Sequence, residues 1–216
     1  MVVAFAFTFT FTLPALALHS LEAKSQHHTP STMPKIFATS LSTTHSFSKH
    51  PQPYIRLIVN EGAEHDAHRG RTIQHLYLKR KGPTAPNLCQ VHLFATEMLA
   101  ELSLLGFPLK PGDLGENLLT EGLDLLTLPR HTHLHIGPDP ETAAILEVTG
   151  LRTPCSKLDT FRPNLQQHLW GPRDATGNKT RRAGIMAIVL RGGDIHPNDP
   201  IRITLPTQPH QPLGPV

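Results

Sequence analysis

Twenty-one prolines are spread through a chain of 216 residues, and their spacing restricts the fold more than any other feature. Each proline fixes its own φ and offers no amide proton, so a long helical bundle is excluded. From Lys35 onward the sequence instead reads as short apolar runs bounded by Gly, Pro and Asn, the pattern of strands separated by turns. Strands are expected over 36–40, 54–59, 118–120, 131–136, 144–149, 184–190 and 201–204. One helix stands out: Thr96 is placed to cap it, Glu97 suits its positive end, Met98, Leu99, Leu102 and Leu105 share a face, and Gly106 closes it. A shorter helix is expected over 162–170. Many short strands with one or two helices between them fit a closed barrel better than an alternating parallel sheet.

Composition narrows the function classes. Twenty Lys and Arg stand against 17 Asp and Glu, without a long basic block, so the small positive excess does not point to nucleic acid. Two cysteines, Cys89 and Cys155, are too few for a disulfide scaffold, and no CxxC pair offers a thiolate zinc site. The first eighteen residues are apolar and Thr-rich, with Ala15-Leu16-Ala17 as a small-x-small site but no basic residue before them. They form an incomplete secretory signal, too short and too polar to span a bilayer. Residues 1–32 are therefore expected to be a disordered or signal-like extension. Met33 is an alternative start, and a cytoplasmic location is favoured over an organelle or secretory one. Residues 206–216 are Pro-rich and read as a flexible tail.

The most informative segment is EVTGLRTPCSKLD at 147–159, in which a β-branched strand runs into a turn just before Cys155. Arg152 and Lys157 flank the thiol, and positive charge favours the thiolate, the form that attacks electrophiles or ligates a soft metal. The plain alternative is a buried structural cysteine, as Cys89 is read to be. In EHDAHRG at 64–70, Asp66 and His68 point the same way if extended, and a carboxylate beside an imidazole orients the ring or helps to bind a metal. His45 and Lys49, in a Ser-rich loop, suit an anion such as phosphate. PGDLGEN at 111–117 reads as a tight turn leading to Glu116 and to Asn117, whose amide suits an oxyanion. It is neither a dinucleotide fingerprint nor a Walker loop. His131, His133 and His135 alternate along a strand and would face solvent, with Thr132, Leu134 and Ile136 turned inward.

Together the strings THSFSK (44–49), DAHRGRT (66–72), PNLCQVHL (86–93), PGDLGENLLTEGLDLLTLP (111–129), EVTGLRTPCSKLD (147–159) and RAGIMAIVLRGGDIHPNDPI (182–201) resemble the MOSC family, named for the C-terminal domain of molybdenum cofactor sulfurases. The resemblance runs in the family's order from about Ile36 to Ile203. It implies a mainly β domain over 33–205, a closed β-barrel of the pyruvate-kinase insert type with a few short helices. It also implies that Cys155 ligates molybdenum in a molybdenum-pterin cofactor or carries sulfur as a persulfide. Asp66 and His68 would handle protons beside it, with His45, Lys49, Glu116, Asn117 and Arg152 binding the cofactor. One departure is His65, which stands where the family pattern has Gly before Asp-x-His; if that position needs positive φ, the turn is strained.

The resulting expectation is a sulfur carrier or a reductase of N-hydroxylated compounds, served by an electron-donor reductase or a sulfur-donor protein and acting on a small molecule, with no nucleic-acid partner and no stable membrane span. Pyridoxal phosphate belongs to the larger multidomain relatives and is not assigned to this chain. The alternatives are a non-catalytic molybdenum or oxyanion binding module with a degenerate pocket, and a metal binder built on the three alternating histidines.

Overall fold

The structure, a computed structural model, describes residues 33–174 and 177–216. The extension expected over 1–32 lies outside the described residues. In chain order the elements are β1 (Lys35–Leu41), β2 (His50–Gln52), β3 (Ile55–Ile58), β4 (Gly62–Ala63), α1 (Leu76–Lys81), β5 (Val91–Ala95), α2 (Thr96–Leu104), β6 (Leu118–Glu121), β7 (His133–Ile136), β8 (Ala144–Leu151), α3 (Lys157–Phe161), α4 (Leu165–His168), β9 (Trp170–Arg173), β10 (Lys179–Arg181), β11 (Ile185–Arg191), β12 (Gly193–Ile195) and β13 (Ile201–Thr204). The chain is thus mainly β with a few short helices. All seven strands expected from sequence are present; β2, β4, β9, β10 and β12 are too short or too polar to announce themselves by period, and β5, an apolar run without alternation, has no expected range either.

Eight strands form one sheet in the order β13-β7-β8-β11-β5-β6-β1-β2, and β12-β3-β4 and β10-β9 form two smaller sheets. Within the large sheet the pairs are antiparallel except β5 with β6. These two run parallel because α2 carries the chain back between them, the crossover that a parallel pair requires. β1, next to the edge strand β2, approaches the segment before β13 from the other side of the sheet: Ile36 N–H donates to the Asp199 carbonyl, Asn198 N–H to that of Ile36, and Ile201 N–H to that of Pro34.

Alternation decides which face is buried. Thr132, Leu134 and Ile136 are fully buried while His133 and His135 face outward, as their spacing predicts. The inner faces of β1, β3, β5, β7, β8 and β11 fill one apolar core. A second cluster, around Phe94, Leu102, Leu114, Leu158 and Leu165, seats α2, α3 and α4 against the sheet.

Two helix expectations are corrected. Thr96 is the first residue of α2 rather than its cap: the capping position is Ala95, which offers no side-chain oxygen, and the Thr96 hydroxyl donates to Glu97. Leu102 is buried and Met98 and Leu99 pack on the second cluster, but Leu105 is half exposed. The helix expected over 162–170 is broken, because Arg162 is extended before Pro163 and Asn164 has a φ of 68°, which leaves the single turn α4. The Pro-rich end makes backbone hydrogen bonds: Gln211 accepts from Arg130, Gly214 accepts from Leu151, and Val216 donates to Leu151.

Candidate functional site

Five segments far apart in sequence meet at one end of the large sheet around a cleft of about 400 Å³. The loop after β1, the turns before α1, the start of β5, the turn before β6 and the segment after β8 each contribute to its wall. A strand end is where such a wall forms, because side chains beyond the last ladder bond no longer have a neighbouring strand to cover them.

The cleft is supported by a buried ion pair. Lys49 and Asp66 are almost fully buried, and the Lys49 ammonium lies 2.8 Å from Asp66 Oδ2. The other bonds to Asp66 come from the Ser42 amide at 3.3 Å, the His68 amide at 2.9 Å and Asn117 Nδ2 at 3.1 Å. Burial works against ionisation of Asp66, but the hydrogen bonding from His68 and the Lys49 ammonium overcome it and hold the carboxyl well below the usual range. Burial also lowers Lys49, with Asp66 opposing it. The pair is compact because Asp66 closes a turn onto its own chain two residues on, rather than lying in an extended segment as its spacing with His68 suggests. His65, preceding it, has a φ of 64°, the conformation for which glycine is suited.

His68 lines the cleft with Nδ1 3.4 Å from Asp66 Oδ1. The exposed His45 meets it edge-on with ring centroids 5.0 Å apart, so His45 stands at the rim rather than in the wall. His75 and Tyr77 continue that rim.

Asn117 is a structural clamp. Its two amide protons go to the Ser40 carbonyl and Asp66, and its oxygen accepts from the His92 amide, tying β1, β5 and the start of β6 together. Its side-chain donors are therefore spent within the protein, not offered to an oxyanion. The turn before it is tight as expected, with Gly112 at φ 88° against the Lys49 carbonyl and Gly115 at φ 78° against that of Phe47. The Gly112 amide is turned inward to Glu116 Oε1. Glu116 is buried behind the wall, its Oε2 is without a partner, and burial raises its pKa.

Cys155 lies half-buried in the wall together with Arg152 and Lys157. Arg152 makes no ion pair among the described residues, and its Nη1 is buried without a hydrogen-bond partner. Burial lowers the guanidinium pKa, and Cys155, Glu116 and Cys89 oppose that. A buried guanidinium donor left open at a cleft wall suits an anionic or carbonyl oxygen of a ligand. The residues fit an anionic cofactor on this observation: a thiol, an open guanidinium and Lys157 share the lining.

Sequence reasoning missed several wall residues, Cys89 and His92 among them. Cys89, read as structural, lines the same cleft, with burial pushing its thiol up to about 11, so it stays protonated at neutral pH. His92, on β5, lines it too, is buried, and is held well below the ordinary histidine range by burial and by Arg152. The only sequence signal for His92 is its polarity within an apolar strand. The alternating histidines lie elsewhere: His131 and His133 both approach Glu147, at 2.9 and 3.3 Å. Among the described residues no group of three or more His, Cys, Asp or Glu is placed to hold a metal, and no helix is long and apolar enough to cross a membrane.

A family model described as the MOSC domain matches residues 82–202. Among solved structures, the YUAD protein from Bacillus subtilis superposes with a TM-score of 0.62 at 22% identity, over 82% of this chain and 98% of that one. YiiM from Geobacillus stearothermophilus gives 0.53 at 19% identity over 79% and 75%. YiiM from Escherichia coli gives 0.52 at 18% identity over 82% and 73%. No curated protein matches the chain.

Proposed function

The chain belongs to the MOSC domain family, and from that premise we propose that it binds a molybdenum-pterin cofactor through Cys155 and reduces N-hydroxylated compounds. The observation that carries this reading is the sharing of one cleft by the Cys155 thiol, the open Arg152 donor and the His68 imidazole. When bound, the cofactor supplies the two-electron reduction. Cys155 would serve as its soft thiolate ligand, with Arg152 and Lys157 beside it in the wall, and Arg152 would meet a cofactor oxygen. Lys49 holds Asp66 ionised, so Asp66 is a positioning residue that turns His68 Nδ1 toward itself and leaves Nε2 to pass protons in the cleft. Reduction of R–NH–OH consumes two electrons and two protons and releases R–NH₂ and water. With two cysteines in the chain there is no thiolate set for an iron–sulfur cluster, and we assign the electrons to a partner protein. We also read the large sheet as a barrel closed at the β1–β13 seam, supported by the three backbone hydrogen bonds there.

The test is elemental analysis of the full chain made in a host that synthesises the cofactor, beside Cys155→Ala. Near-stoichiometric molybdenum in the parent and its loss in the variant support the ligand role. Molybdenum retained equally by both, or found in neither, sinks it; one added sulfur on Cys155 in the mass spectrum would then assign the chain to sulfur carriage.

A further inference from the structure

Where β7 runs out, the edge of β8 is taken over by the Pro-rich segment after β13. β7 and its approach cover β8 as far as Val148, whose N–H donates to the Thr132 carbonyl and whose carbonyl accepts from the His131 N–H. Further on, Leu151 N–H donates to the Gly214 carbonyl at 2.7 Å, the Leu151 carbonyl accepts from Val216 N–H at 3.2 Å, and Leu151 and Pro215 form a parallel bridge. Arg130 N–H ties the same segment to the approach to β7 through the Gln211 carbonyl. Leu213 and Val216 are half-buried, while Gln211, Pro212, Gly214 and Pro215 are exposed. Leu213 packs on the main core, and Val216 lines the same cleft as Cys155. Gly150 has no room for a side chain for this reason: a Cβ there would lie 2.5 Å from Val216 Cγ2 and 2.6 Å from the Gly214 carbonyl oxygen.

This attachment is built to be weak. Pro209, Pro212 and Pro215 have no amide proton, so the segment cannot form a regular ladder with β8. A groove of about 280 Å³ separates residues 210–213 from residues 126–129, whereas a packed interior leaves few voids. The residue held is next to the site. Leu151 immediately precedes Arg152, and the residues that lead to Cys155 are fixed from elsewhere: Arg152 N–H by the Gly184 carbonyl, the Thr153 hydroxyl by Arg181 and the Pro154 carbonyl by Gln166. We propose that residues 211–216 are a strap: docked on Leu151 they form one wall of the Cys155 cleft, and their release opens that wall to ligand while the sheet stays folded. The strap governs access whatever the cleft binds, so it stands or falls apart from the cofactor reading.

The full chain, produced in a host that lacks the molybdenum cofactor, is followed by amide hydrogen exchange and by the rate at which iodoacetamide labels Cys155, read by peptide mass. Two variants act on opposite sides of the contact. Gly150→Ala sets a Cβ against the strap from β8, and Leu213→Asp puts a charge where the strap meets the core and leaves β8 untouched; Leu213→Met is the conservative control. In the parent the Leu151 and Val216 amides should be protected, but less than those of β11. Gly150→Ala and Leu213→Asp should both speed exchange at these two amides and raise Cys155 labelling by on the order of fivefold or more, with β11 still protected and Leu213→Met matching the parent. Unprotected Leu151 and Val216 amides in the parent overturn the inference. So does faster exchange at these amides with Cys155 labelled at the parent rate, which would make the segment a structural clasp only. Slow exchange kept in both variants, or loss of β11 protection along with the strap in both, overturns it too. A chain that never takes up molybdenum leaves every one of these readouts in force.

Discussion

The side chains that matter most to this cleft are the ones whose charges have nowhere else to go. Lys49 and Asp66 pair at 2.8 Å in a buried setting, so removing one leaves the other without its nearest opposite charge. Asp66→Asn should therefore lower unfolding free energy by roughly 3–5 kcal/mol in urea titrations at neutral pH. The same residue sets an acid limit. Because its folded pKa is depressed, its stabilisation is fully present above the ordinary carboxylate value of about 4 and is lost as pH falls from there toward the folded value. Glu116 acts in the opposite sense: its pKa is raised by burial, and the folded state holds its proton longer as pH rises. Urea midpoints measured as pH falls from about 5 should drop more steeply in Glu116→Gln than in the parent, and less steeply in Asp66→Asn. His65 is a smaller liability. It is exposed, adopts φ of 64° and touches Glu64 at 3.9 Å, so His65→Gly should raise stability by about 1 kcal/mol at most, read from thermal melting. The departure at His65 was visible in sequence, but the sign of its φ was not, since residues other than glycine do not announce that conformation.

At the scale of elements, period and punctuation carried most of what could be read. The β7 alternation sorted Leu134 and Ile136 from His133 and His135, whereas His131, with φ of 67°, precedes the strand; the Cys155 turn was located by a strand run ending in Gly and Pro. The turn over 111–117 was legible from its glycines, but its purpose came from contact with a distant loop. Gly112 lies against the Lys49 carbonyl with positive φ, which brings the Lys49 amide to the Gly112 carbonyl at 2.8 Å. Gly112→Ala should cost at least about 1–2 kcal/mol from the backbone term alone, with added loss from that close approach, measured as a drop in melting temperature. The failure over 162–170 has a local cause that was also in view: Pro163 holds Arg162 extended, so only the single turn α4 forms in that range. Strands of two or three residues such as β4 and β12 exist only because partners on β3 fix them, and no window of their own sequence is long enough to show a period.

For the whole molecule, the hydrogen bonds between β1 and the segment before β13 bear on how the eight-stranded sheet closes. If the β1–β13 seam closes the sheet, the amide protons of Ile36, Asn198 and Ile201 should exchange with solvent as slowly as those of β11; fast exchange at these three with slow exchange at β11 would mean an open sheet. The sequence by itself determined that the chain is mainly β, where its inward faces lie and which thiol sits at a charged turn, because proline, strand period and flanking charge act over a few residues. Only the tertiary structure decided that Lys49 is the partner of Asp66, that Asn117 is a clamp rather than a ligand donor, and that His92 and Cys89 share a cleft with Cys155. Those facts depend on burial and on contacts between residues as much as 91 positions apart, as between His92 and Ala183, and the register of distant strands sets such contacts.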